Sequence, residues 1–194
     1  ITFTIPSDVT AGTTYARFRV TTEAGFGTND IGGPALDGEV EGYQLTIITE
    51  TDWTDDPDSY ATNKTNSSRN EGPGPSHVIV LGLHIGSDAP DGENDGFPSV
   101  FADGDDNDDV DDEGGLTFPT ITSGMSGQTV NVTVPVTNTT GRTATLVGWI
   151  DFNINYVYNT ATESAIVTGI NSSGNRTLTF TVPDDVAAGD TYAR

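Results

Sequence analysis

Residues 1–17, ITFTIPSDVTAGTTYAR, return as residues 178–194, LTFTVPDDVAAGDTYAR, with 12 of 17 positions identical and no gap. The offset is 177 residues (178 minus 1). A match of this length marks a repeat protein, and its phase sets the organisation. The chain begins inside one copy of a unit and ends inside the next. Residues 1–50 are expected to be the C-terminal portion of one β-sandwich repeat unit. Residues 51–118 are expected to be a linker strand and an acidic calcium-binding segment, and 119–194 the N-terminal and middle portion of the next unit. With no initiator Met and no signal-peptide pattern, the chain reads as processed or excised from something longer.

Most of the remaining pattern has a period of two. Ile1, Phe3 and Ile5 alternate with Thr, and Ala16, Phe18 and Val20 alternate with Tyr15, Arg17 and Arg19. Tyr43, Leu45 and Ile47 form another set, as do Val130, Val132, Val134 and Val136. So do Leu146, Gly148, Ile150 and Phe152, and then Leu178, Phe180 and Val182. Alternation with β-branched filling predicts half-buried strands. Val40 is out of phase with Tyr43, which predicts a bulge near Gly42. Residues 77–85 read as one apolar strand and 55–76 as a long polar loop. No amphipathic helix is evident. The expected fold is all-β: an antiparallel, Ig-like β-sandwich with long acidic calcium-binding loops in a tandem repeat unit.

Charge narrows the function. Seven Lys+Arg face 29 Asp+Glu, a formal net charge of -22. Such a chain does not bind a phosphate backbone, so nucleic acid is excluded as a partner. It is equally unsuited to anionic membrane surfaces, and no apolar run is long enough for membrane insertion. The absence of Cys removes disulfides, thiolate catalysis and thiolate zinc sites. Twelve of the acids crowd positions 88–113, and no Lys or Arg occurs between Arg69 and Arg142. The block is either a solvated, extended segment or a divalent-cation site. Calcium would suit it, with 6–8 hard oxygen ligands and tolerance of irregular geometry.

Within the block, Asp91-Gly92-Glu93-Asn94-Asp95-Gly96 places oxygen ligands at positions 1, 3 and 5 with Gly at 6, the opening of a calcium loop. Position 12 is Ala102, followed by Asp103, so the loop is not an EF-hand. A second group runs through Asp103, Asp105, Asp106, Asn107, Asp108, Asp109, Asp111, Asp112 and Glu113. These residues, with Asp91, Glu93 and Asp95, are the candidate ligands for Ca2+. Asp151-Phe152-Asn153-Ile154-Asn155 is a further oxygen-rich triple without the Gly, which reads either as ligands or as a strand end shaping a turn. Asp37, Glu39 and Glu41 read as an exposed strand face or as ligands, and Asp55, Asp56 and Asp58 as a turn cap or as ligands. His77 and His84, seven apart, point to opposite faces of one strand and suit packing rather than zinc. Trp53 and Trp149 could stack on sugars; the plainer roles are junction packing for Trp53 and core for Trp149. No H-E-x-x-H, G-x-S-x-G or phosphate loop is present, and no nucleophile–base pair stands out. An enzyme is not expected.

Several motifs together resemble those of the GEVED-domain family, found in large secreted and surface proteins of bacteria. Asp37-Gly38-Glu39-Val40-Glu41-Gly42-Tyr43 is similar to the family's signature, preceded by the strand–turn–strand FTIPSDVTAGTTYARFRV. Asp55-Asp56-Pro57-Asp58-Ser59-Tyr60 resembles its G-D-A-P-D-S-Y. The stretches from Leu83 to Gly86 and from Asp95 to Ser99 resemble its L-Y-L-G and D-G-x-P-S. Gly104-Asp105-Asp106 and Asp111-Asp112-Glu113 resemble its acidic element, and Gly148-Trp149-Ile150-Asp151-Phe152-Asn153 its A-W-I-D-F-N strand. Gly42 replaces an acid, Thr54-Asp55 replaces Gly-Asp, and Ile154-Asn155-Tyr156 stands where Gly or Asp commonly follows. The resemblance implies a repeated extracellular or cell-surface β-sandwich module, calcium-loaded and without catalytic activity.

The expected function is a structural repeat of an extracellular bacterial fibre, filament or surface stalk, stabilised by calcium. Its partner would be itself, as neighbouring repeats or subunits joined head-to-tail or by strand complementation. The alternative is an adhesin or carbohydrate-binding module with a glycan or surface ligand.

Overall fold

Alternation requires a partner layer, and the chain meets that requirement unevenly. The computed structural model describes residues 2–3, 9–65, 73–104 and 114–194. Every strand pairing in it is antiparallel. Contacts divide the chain into two units, Ile1–Thr49 and Glu50–Arg194.

The first unit is a hairpin. Strands β1 (Gly12–Val20) and β2 (Glu39–Ile47) pair from Gly12↔Ile47 to Val20↔Glu39. That register puts Ala16, Phe18 and Val20 on one face with Tyr43 and Leu45. Phe18 and Tyr43 meet edge-on, with ring centroids 5.7 Å apart. Even so, Phe18, Val20, Tyr43 and Leu45 all stay exposed. On the other face, Arg17 Nη1 donates to the Ile31 carbonyl at 2.8 Å, and Arg19 donates to the carbonyls of Asp30, Gly32 and Gly33. The Arg19 guanidinium also lies 4.7 Å from the Phe26 ring. These bonds tie down the connection between the strands. It re-enters β2 through Gly38, where φ is 97° and an added Cβ would lie 1.8 Å from the Val20 carbonyl oxygen. The bulge expected near Gly42 is absent, because the register runs unbroken through Arg17↔Gly42. Val40 sits on the arginine face and is exposed, so nothing forces it into phase with Tyr43.

The second unit carries the hydrophobic core. Strands β3 (Thr51–Trp53) and β4 (Ser76–Val78) form a short ladder. Strands β5 (Leu83–Ile85), β6 (Thr129–Asn138) and β9 (Gly174–Thr181) form a sheet in the order β5-β6-β9. Strands β7 (Ala144–Trp149) and β8 (Ser164–Ile170) form another. One buried cluster draws on both sheets: Val130, Val132, Val134 and Val136 of β6 and Leu178 and Phe180 of β9 join Leu146, Ile150, Phe152, Ala165 and Ile170. All of these but Ala165 and Ile170 are positions that the alternation marks.

The second copy of the duplicated segment is built into this unit. Phe180 is 2% exposed, whereas Phe3, its counterpart in the first copy, is 72% exposed. After Val182 the chain crosses back, and its last residues run along the free side of β7. Arg194 N–H donates to the Trp149 carbonyl at 3.0 Å and Trp149 N–H to the Arg194 carbonyl at 2.8 Å. Ala193 bridges Ile150 and packs on the core.

The segment read as one strand over 77–85 is two. β4 pairs with β3, the chain turns through Gly82 (φ 79°), and β5 pairs with β6. His77 and His84 therefore lie in different sheets. The described part of the stretch read as a long polar loop, residues 55–65 and 73–76, is not simply a surface loop: a 3-10 turn at Asp58–Tyr60 helps to bury Asp55, Asp56, Tyr60 and Thr62. Trp149 is half-buried and outside the core cluster.

The two copies of the segment should respond unequally to the same truncation. Phe180→Ala is expected to lower stability by about 3–5 kcal/mol. Phe3→Ala should shift it by about 0.5 kcal/mol or less. Urea unfolding of the dilute chain measures both, and equal losses would contradict this packing.

Candidate functional site

The end of the duplicated segment meets a cluster of tyrosines and carboxylates. The 3-10 turn at Asp58–Tyr60 pushes the Tyr60 ring inward, where its centroid lies 5.7 Å from Tyr156, 4.9 Å from Tyr158 and 5.2 Å from Tyr192. Tyr60 Oη donates to Asp151 Oδ2 at 2.7 Å. Tyr158 Oη donates to Asp56 Oδ2 at 3.2 Å, and Arg194 Nε donates to the same oxygen at 2.8 Å. Arg194 also donates through Nη2 to the Tyr60 carbonyl at 3.1 Å, and its guanidinium lies 5.0 Å from the Tyr158 ring. Tyr192 Oη donates to the Val100 carbonyl at 2.7 Å. Thr191 Oγ1 donates to the Asp151 carbonyl. The residues Thr-Tyr-Ala-Arg at 191–194 thus fill one continuous seat.

The electrostatics of the seat are those of a buried pair. Arg194–Asp56 is the one ion pair among the described residues. Burial pushes the Asp56 carboxyl above its ordinary range, and the charge and hydrogen bond of Arg194 pull against it. Burial likewise raises the hydroxyls of Tyr60 and Tyr158, and the neighbouring aspartates add to the effect. A groove of about 530 Å³ opens beside the seat, lined by Tyr156, Tyr192, Asp58, Asp190 and Val100 among others.

Next to the seat, Asp151 and Glu163 are both fully buried. Asp151 accepts N–H groups from Asn155 at 3.2 Å and Tyr156 at 2.8 Å. Glu163 accepts from Phe152 at 3.0 Å and Asn159 at 2.8 Å. Burial raises Glu163 above the usual carboxylate range, with the charge of Asp151 adding to it and the backbone donors opposing. Tyr156, at the sixth position counted from Asp151, has φ 64°. The backbone there makes the left-handed turn for which calcium loops use Gly.

The candidate ligands are only partly brought together. Asp91 and Glu93 are neighbours, and Asp52 of β3 lies close to Glu93. Burial, followed by a hydrogen bond with Asp91, pushes Glu93 up to about 8, although the Trp53 N–H, 2.9 Å from Oε2, pulls it down. Asp95 Oδ1 instead accepts the Lys64 N–H, and Asp103 Oδ1 accepts Ser99 Oγ at 2.6 Å. Gly96, expected to allow a sharp turn, permits close packing instead: an added Cβ would lie 2.5 Å from the Thr62 carbonyl oxygen. Asp105, Asp106, Asn107, Asp108, Asp109, Asp111, Asp112 and Glu113 lie outside the described residues. Among the described residues, no three His, Cys, Asp or Glu side chains form a group that could hold a metal ion. Asp37 is engaged by the hydroxyls of Thr21 and Thr22 and the Thr22 N–H, which hold its carboxyl below the ordinary range. Trp53 is half-buried. No helix among the described residues is long and apolar enough to cross a membrane.

The seat itself was not evident from the sequence. Its signal is the pair Tyr and Arg retained in both copies of the duplicated segment, Tyr15 and Arg17 matching Tyr192 and Arg194. The family model of the GEVED domain matches residues 145–194. That stretch takes in β8, β9, most of β7 and the strand in the seat, and it bears out the family resemblance there. No curated protein and no solved structure matches the chain.

Arg194→Met leaves the Asp56 carboxylate buried without its cation. The expected loss is about 2–3 kcal/mol. Arg17→Met, the matching change in the first copy, should cost about 1 kcal/mol or less. Thermal unfolding compares the two, and the double variant Asp56→Leu/Arg194→Met should recover part of the loss.

Proposed function

We propose that this chain is a structural repeat of an extracellular bacterial fibre, filament or surface stalk, built from Ig-like β-sandwich units and stabilised by calcium. One observation carries the reading. The segment that closes a two-sheet core at residues 178–194 also occurs at 1–17, where Phe3 and Tyr15 remain exposed. A surface that repeats an internal part of the same fold is complementary to another copy of that fold. Contacts of this kind are heterologous, so they extend in a line rather than close. The GEVED match over 145–194 supports a place on the cell surface or outside it.

Calcium fits the donor chemistry. Asp91 and Glu93 offer only hard oxygens, and Asp95, Asp103 and the run from 105 to 113 would complete the ligand set. The ion would supply positive charge to a chain that carries 29 acids and seven Lys+Arg. An ion bound only by the folded state stabilises by about 2.7 kcal/mol at 100 times its Kd. For a chain of this size that corresponds to about 5–10 °C in Tm.

A second reading, a glycan-binding adhesin, is favoured by the groove beside Tyr156 and Tyr192, where two aromatic rings and the carboxylates of Asp58 and Asp190 converge. Loss of glycan binding in Tyr192→Ala would support it, and silence across a glycan array would count against it.

Calorimetry and electron microscopy with calcium, then with EGTA, test the favoured reading. Calcium should raise Tm by several degrees and concentrated samples should show linear assemblies. An unchanged Tm would remove calcium from the account, and a single-chain particle at every concentration would remove assembly.

A further inference from the structure

We propose that the groove beside the tyrosine seat binds glycans that carry free amino groups. The protonated amine pairs with Asp58 and Asp190 while the sugar rings lie against Tyr156 and Tyr192. This deepens the glycan-binding reading and rests on it: that reading supplies a sugar, and the charge of the groove supplies its class.

The charge is of one sign. Asp58 and Asp190 line the groove, and among the described residues no Lys, Arg or His does. Arg194, in the adjoining seat, is engaged by Asp56 at 2.8 Å. A sugar acid would therefore meet like charge at the groove, on a chain whose formal net charge is -22. An amino sugar meets opposite charge at the contact, and the field of the whole chain steers it inward.

The acids are placed to serve a ligand. Asp58 Oδ1 accepts Asn63 Nδ2 at 2.6 Å, which orients the carboxylate, and carboxylate oxygens accept more than one bond. Asp190 is exposed. The recurring segment does not itself call for this acid, since the first copy carries Thr13 at the matching position. The rings are also held in advance. Tyr192 Oη donates to the Val100 carbonyl at 2.7 Å, and its ring lies 5.2 Å from that of Tyr60. The Tyr156 ring lies 5.7 Å from the same buried ring and is still 44% exposed. Rings fixed in this way offer contact area with little left to order on binding. A cation close to them gains further from their electron-rich faces. The volume, about 530 Å³, is that of a small-ligand site.

Calorimetric titration of the full chain with short glucosamine oligomers, and with their N-acetylated counterparts, tests the proposal at mildly acidic pH. Acetylation removes the charge and keeps the sugar ring. The free-amine oligomer should bind about tenfold more tightly, and salt should narrow the difference. A chain with 29 acids attracts any cationic polymer, so single changes decide where binding occurs. Asp190→Asn should weaken binding of the free-amine oligomer about fivefold or more, whereas Asp184→Asn, outside the groove, should leave it unchanged. If both oligomers bind equally, and both are lost in Tyr192→Ala, the amine is overturned and the glycan reading stands. If Asp190→Asn and Asp184→Asn weaken binding alike, the groove is overturned as its place. Binding of neither oligomer overturns the proposal, and silence toward neutral glycans as well removes the glycan reading with it.

Discussion

A two-stranded hairpin has no second layer, so an apolar face on it can be buried only against something else. The first unit illustrates this constraint: Phe18, Val20, Tyr43 and Leu45 line one face of β1 and β2 and remain in water. Its shape comes from arginine bonds to loop carbonyls rather than from a core. The second unit satisfies the same constraint, since side chains from two sheets meet in one cluster. The duplicated segment connects the two cases. In one copy it is part of a core, and in the other Phe3 and Tyr15 are exposed. The proposed assembly follows from letting the exposed copy do what the buried copy does.

Charge is the second constraint. Asp56, Asp151 and Glu163 are buried in a chain with few cations. Each is held differently. Asp56 has Arg194, while Asp151 and Glu163 rely on backbone N–H groups, and Asp151 also on the Tyr60 hydroxyl. Backbone donors stabilise a carboxylate without spending a Lys or Arg. The pressure persists at Glu93, where a nearby carboxylate and burial together favour the protonated form. A hard divalent cation would relieve that pressure, which is why calcium belongs to the proposed reading.

Much of the core was legible because alternation leaves a periodic trace. Val130, Val132, Val134 and Val136 sit in a ten-residue strand, long enough for a period of two to show. β3 has three residues and leaves no such trace, so the approach of Asp52 to Glu93 was not foreseen. Tyr60 is a single aromatic in a polar stretch with no period to mark it as buried. Asp56 and Arg194 are 138 residues apart, and only the recurrence of Arg17 as Arg194 hinted that the arginine has a fixed task. Gly96 shows the limit of motif reading. The spacing suggested a turn, whereas the backbone of Thr62 simply passes too close for a side chain.

The central claim is that β1 and β2 find their second layer on another copy of the chain. Hydrogen–deuterium exchange of the full chain, at low and at high concentration, tests it most directly. The account predicts that amides of residues 12–20 gain protection with concentration. Protection of those residues that is the same at both concentrations would contradict it.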